Sequence, residues 1–414
     1  MTKITRLLAR AAMMGLAVAP LLSAGTVSAQ EPVTLVISNS QWLDALRGTN
    51  LWNALLKYED VAPHVTLEQL AIPSAQYADR ITTELGAGQG PDIAIMQDGL
   101  FYAIAKAGLL VPLDAVVESS DALNSTNENG IVDGEQLGIA WQRAVYALIY
   151  NRSLLDAAEG EVPSDVAGLI ANAEAVTAAT GAVGFTSRHQ ISDFTGWYMD
   201  FQNWAYGFGV NWVDDAGNLT INTSEAVAAV AAFKDVYDSG IIPIGDDMPT
   251  QRTRFKENTV GFSIDNSGGT LNIATGGALA STDLEAAPLP FPEPGAHQQL
   301  FLGVSTHSDH QDEAIAFLEW LVSAEGQQAL REASGPDALA TDVPVTENFR
   351  ATNPWADTFA ELATTSRSTL IPGHEGETGP IMRHVMEALE RVIIANEDPE
   401  TALAAAQAAV DAQF

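Results

Sequence analysis

Tyr77–Asp114 reads YADRITTELGAGQGPDIAIMQDGLFYAIAKAGLLVPLD, and the order of elements within it decides the fold. Tyr77, Ile81 and Leu85 recur every four residues on a polar background, which predicts a helix with one apolar stripe. Gly86 and Gly88 end it, because glycine accepts the left-handed backbone that closes a helix. Pro91 forbids continuation. Asp92–Met96 is a short apolar run bounded by turn signals, too short for a helix, and is expected to be a buried parallel strand. Gln97-Asp98-Gly99 makes the turn. Leu100–Ala107 predicts the next helix, stopped by Gly108. In an open parallel sheet, ligands bind beyond the carboxyl ends of the strands, and Gln97 and Asp98 stand at such an end. A plain turn with Asp98 capping the following helix fits the same residues.

Working outward, Pro32–Ser38 predicts the first strand, Leu51–Tyr58 a helix and Pro63–Leu70 the second strand. This βαβ opening points to a doubly wound α/β lobe. Further on, Val183–Thr186, Val260–Ile264 and Phe301–Ser305 read as strands. Thr223–Ser239, Asp312–Leu321, Met382–Ile394 and Thr401–Gln413 read as helices. At 414 residues the chain exceeds one ordinary domain.

The pattern Y…I…L.AG..PDI…D…A.AGLL.PLD resembles the family of extracellular solute-binding proteins that serve ABC importers, the group that contains maltose-binding protein. The segments ALIYNRSLL (147–155), VGFSI (260–264) and DEAIAFLEWLVSAEGQQAL (312–330) resemble its other motifs. The usual Thr-Trp pair after Val162-Pro163 is missing. The resemblance implies an α/β, two-lobed periplasmic binding protein of type II-like topology, with discontinuous lobes, a hinge and an inter-lobe cleft. Lobe 1 is expected over 30–142 and 292–335, lobe 2 over 143–291 and 336–414. The proline-rich run 287–295 resembles the segment that returns the chain to the first lobe.

The resemblance also implies a site built from turns that meet in the cleft. Ser40, Gln41 and Trp42 follow the first strand, and Gln97 and Asp98 follow PDI. Trp141, Gln142 and Arg143 precede the YN pair. Asp193 and Trp197 lie in the aromatic stretch 188–212. Asp265, Asn266 and Ser267 follow GFSI, and Gly373, His374 and Glu375 precede the late helices. The chain holds 8 Trp residues. Sugar rings stack on indole while their hydroxyls need planar donors and acceptors, so Trp beside Asn, Gln, Asp and Arg suits a carbohydrate. Trp52 and Trp320 lie on helix faces and read as core. Met96 stands where maltose-binding protein has an aromatic, which implies less stacking surface. Arg143 and Arg188 are scarce cations, and a guanidinium fork fits carboxylate or sulfonate. An anionic sugar is therefore the runner-up, against surface or ion-paired arginines.

Catalytic and cofactor patterns are weak. No HExxH, GxSxG or Walker motif occurs. GAGQG at 86–90 precedes its strand, which argues against a phosphate loop. The His307-Ser308-Asp309-His310 run reads as a solvated loop, and the spacing at 214–219 fails as a calcium site. No cofactor is expected. A secreted polysaccharide-processing enzyme is the alternative from another class; it would need a carboxylate pair across one cleft. A chemoreceptor-coupled role is compatible with solute binding.

Lys3, Arg6 and Arg10, the apolar run Ala11–Ala24 and Val27-Ser28-Ala29 form a signal peptide pattern, with maturation expected at Gln30. There is no cysteine, hence no disulfide and no lipobox, which favours a periplasm. The net charge is -34; the expected cleavage removes three basic and no acidic residues, taking it to -37. Such a field repels nucleic acid and anionic membrane. The expected partners are a sugar and the transmembrane subunits of an ABC permease, bound by a monomer.

Overall fold

The computed structural model describes residues 31–414. The expected signal peptide and its cleavage site lie outside that range. The chain opens with β1 (Val33–Asn39), α1 (Ala45–Leu56), β2 (Val65–Ala71), α2 (Ser74–Gly86), β3 (Ile93–Gln97) and α3 (Asp98–Lys106). Tyr77, Ile81 and Leu85 are the buried residues of α2, and Gly88 takes φ +70 just past its end. Asp98 is the first residue of α3, with Gln97 as its cap.

The chain continues through β4 (Ile139–Asn151), α4 (Val166–Thr180), β5 (Val183–Thr186), α5 (Phe194–Gly207), α6 (Ser224–Asp238), α7 (Met248–Lys256), β6 (Val260–Asn266), α8 (Ser267–Ala274) and β7 (Leu284–Ala287). It then forms β8 (Ala296–Val304), α9 (Gln311–Leu321), α10 (Ala324–Ser334), α11 (Thr378–Ala395) and α12 (Pro399–Gln413). Side chains cap two of these helices: Thr223 accepts from Ala226 N, and Asp398 from Thr401 N.

The strands form one mixed sheet in the order β2-β1-β3-β8-β4-β6-β5, with β7 beside β4. β1 pairs in parallel with both β2 and β3, while β8 runs antiparallel to β3 and β4. The fold is two-lobed, and β4 is its spine. Its first residues, Ile139–Trp141, pack in the first lobe's core. Its later residues alternate between the two faces of the second lobe. Tyr146, Leu148 and Tyr150 face α5 and α11, whereas Val145, Ala147 and Ile149 face α7 and α8.

Four hydrophobic clusters result, two per lobe. One lies on each face of each half of the sheet. β8 crosses the other way: Ala296 packs in the second lobe and Leu300 in the first. Leu339 and Ala340 still pack in the first lobe's core.

Candidate functional site at the lobe seam

Polar side chains gather where the turn after β1, α1 and β4 meet the end of α10 and the start of α8. Gln41 sits in a short 3-10 turn after β1. Its Oε1 accepts from Trp141 Nε1 at 2.8 Å, and its Nε2 donates to Gln142 Oε1 at 2.9 Å. Gln142 Nε2 donates to Ser334 Oγ at 3.0 Å. Arg47, on α1, donates to the same Gln142 Oε1 at 3.3 Å and pairs with Asp44 at 2.9 Å. The Asp337 carboxylate lies 3.9 Å from Arg47 and accepts from Ser267 Oγ, the first residue of α8. The seam is therefore bridged by protein atoms from both lobes.

A second group lies wholly in lobe 2. Arg188 pairs with Asp193 at 3.0 Å and with Asp200 at 2.5 Å. Arg252 grips Asp265 with two hydrogen bonds, 2.8 and 2.7 Å. Burial opposes the charge on Arg188, but Asp200 and Asp193 outweigh it and hold the guanidinium's pKa high. Burial pushes the Asp200 carboxyl up, against the pull of Arg188. Arg188, Asp200, Arg252 and Asp265 line a cavity of ≈ 10 Å³, about the size for one water.

Asp98 forms a third group. Its carboxylate accepts from Gly99 N at 2.9 Å and from Gln299 N at 3.2 Å. Burial pushes its pKa up to about 6, and no cation among the described residues acts on it. The hydroxyl of Tyr198, from lobe 2, closes over Gly99: a Cβ there would lie 3.7 Å from it. Asp98 and Asp200 are thus two carboxyls raised by burial in opposite lobes. Neither acts on the other's pKa; one is spent on backbone amides and one on Arg188.

The matching family model is "Bacterial extracellular solute-binding protein", over residues 47–328, well over half of the chain. The chain belongs to this family. Among solved structures, this solute-binding protein is similar to the GacH receptor of Streptomyces glaucescens, studied unliganded and with acarbose. The two are 21% identical, with 92% of this chain and 98% of that chain covered at a TM-score of 0.81. Maltose-bound MalE3 of T. maritima is 17% identical, covering 92% and 100%, also at 0.81. A substrate-binding protein of Listeria monocytogenes in complex with cycloalternan is 18% identical, covering 92% and 99%, at 0.78. Curated relatives from Brucella abortus and Brucella suis, described only as binding proteins, are 22% identical over 217 residues. The chain spans about half the length of these curated relatives.

The residues singled out from sequence in this solute-binding protein fall into distinct environments. Gln41, Trp141, Gln142 and Ser267 converge at the seam. Asp193 and Asp265 are tied up in ion pairs, and Asn266 caps α8 through Gly269 N. Gln97 and Ser40 are half-buried at strand ends. Trp42 is turned inward: its indole donates to Ile37 O at 3.0 Å and its ring meets Trp52 and Trp141 edge-on. Trp197 is fully buried against Phe233, so it too packs as core, although its Nε1 has no partner. Gly373, His374 and Glu375 form a loop over α3, where Gly376 approaches Lys106.

Arg188, a candidate for an anion only in the runner-up reading, is ion-paired with two carboxylates. Arg143 differs. Burial alone lowers its pKa, and among the described residues no carboxylate acts on it and its buried Nε has no partner. Arg47, Asp337 and Asp200 were not foreseen. The one available signal was that a buried arginine in so acidic a chain needs a carboxylate neighbour.

Proposed function

We propose that the protein captures a sugar by closing its lobes and hands it to the transmembrane subunits of an ABC permease. The observation that carries this is a set of buried polar atoms around the seam with no hydrogen-bond partner among the described residues. They are Arg47 Nε and Asp337 Oδ2 in the first lobe, Arg143 Nε on the crossing strand, and Thr186 Oγ1 and Asp200 Oδ1 in the second. Leaving such atoms unpaired is costly. Sugar hydroxyls donate and accept at once, so they suit a mixed set of donors and acceptors. Closure follows as a population shift, because a ligand touching both lobes favours the state that brings them together.

The proposed solute is neutral. Around the seam Arg47, Arg188 and Arg252 face Asp44, Asp337, Asp193, Asp200 and Asp265, so these guanidinium groups are already balanced. The acarbose, maltose and cycloalternan named for the similar structures are neutral or basic saccharides, which fits this reading. The runner-up, an anionic sugar, is favoured by one observation: the desolvated Arg143 carries no carboxylate partner among the described residues. Of the sequence-singled residues, Gln41, Asp98, Gln142 and Arg143 are the proposed contacts. A periplasmic location, a cleaved signal peptide, a monomer and the absence of turnover belong to the same proposal.

A thermal-shift panel of neutral sugars, polyols, uronates and sulfonated sugars tests it, since a ligand of the folded state raises its melting temperature. A shift with neutral sugars is expected. A shift confined to uronates would promote Arg143 and the anionic reading. Release of sugar product would replace binding by enzymatic processing.

A further inference from the structure

We propose that Asp337 is the tie between the lobes, setting how readily they separate before any solute binds; the idea rests on reading the protein as one that closes. Asp337 belongs to the first lobe by its contacts. Arg331 of α10 donates to its backbone O at 2.7 Å, Arg47 stands beside its carboxylate, and Leu339 and Ala340 next to it lie in the first lobe's core. Its carboxylate reaches across and accepts from Ser267 Oγ. Ser267 opens α8, whose Leu271 and Ile273 lie in the second lobe's core. The negative charge thus sits at the positive end of a helix from the other lobe.

The backbone of α8 is shaped for this approach. A Cβ built on Gly268 would stand 2.7 Å from Arg47 Nη2 and 3.3 Å from an Asp337 oxygen. Only glycine lets the first turn of α8 come this close to the ion pair. The tie is made of protein atoms alone, so it acts without ligand. It therefore lowers the cost of the closed state, and with it the fraction of affinity lost to opening.

Small-angle scattering of the unliganded protein reads the tie directly. Ser267→Ala removes the donor and Gly268→Ala pushes the ion pair away; neither touches the core of a lobe. Both unliganded variants are expected to scatter as more open particles than the parent, with the closed-to-open ratio reduced roughly tenfold, the loss of one charge-assisted hydrogen bond. Both should also release a bound sugar faster. Unliganded curves that superimpose on the parent for both variants would overturn the proposal. This comparison uses no sugar. If no sugar bound the parent, the transport reading would fail while the scattering still decided the tie.

Discussion

Replacing Asp98 with Asn should change the pH dependence of stability in a direction fixed by burial. Asp98 is 2% exposed and has no cation partner among the described residues. Its pKa rises from 3.8 to about 6, so the folded chain holds this proton more tightly than the unfolded chain does. Between those two values the folded state binds more protons, and stability from this group falls as pH rises. Above pH 6 the full penalty is present; below 3.8 it is gone. The total is about 3 kcal/mol. About 2 kcal/mol of it lies between pH 4.5 and 7.5. Asn cannot ionise, so it carries none of this dependence. Its amide also sets an N–H against one of the two backbone donors, a cost of about 1–3 kcal/mol that does not change with pH. Urea unfolding of parent and variant from pH 4.5 to 7.5 measures the difference. The variant is expected to gain on the parent by about 2 kcal/mol as pH rises across that range. Parallel curves, with one constant difference at every pH, would refute a desolvated, unpaired carboxylate at this position.

Other consequences follow from the packing. Trp42→Ala should cost about 3–5 kcal/mol of folding stability, because the ring fills core space; a stable variant with weakened sugar binding would instead mark it as a stacking platform. Arg188→Met strands Asp193 and Asp200 and should cost about 3–5 kcal/mol, and a second change, Asp200→Leu, should recover much of that in a double-mutant cycle. No recovery would mean that Asp200 is held by something other than Arg188. Gly184→Ala places a Cβ 2.4 Å from the backbone oxygen of Ala173. It should destabilise β5 against α4 by about 1–3 kcal/mol in thermal unfolding, and a neutral result would show that α4 can move away.

The central stretch was legible because each signal is local. The stripe of Tyr77, Ile81 and Leu85, the break at Pro91 and the apolar run before Gln97 each depend on a handful of neighbours. β4 was harder to see as one strand. Both of its faces are buried, so Ile139–Asn151 has no polar alternation to reveal its period. The site was legible only as a set of turns. Gln41 and Gln142 were placed by the family resemblance, and they do meet. Trp42 shares their turn, yet the 3-10 step after β1 rotates its ring into the core. Arg47 and Asp337 lie 290 residues apart in the chain and meet only once the first lobe has folded, so no local pattern announces them.

Titration calorimetry with a neutral sugar and the uronate of the same ring tests the central claim most directly. The pair differs only in a carboxylate, so it isolates the charge balance at the seam. Saturable binding of the neutral sugar without turnover, and little or none of the uronate, is the predicted result. Binding of the uronate alone would assign the seam to Arg143 and an anion, and binding of neither would contradict sugar capture altogether.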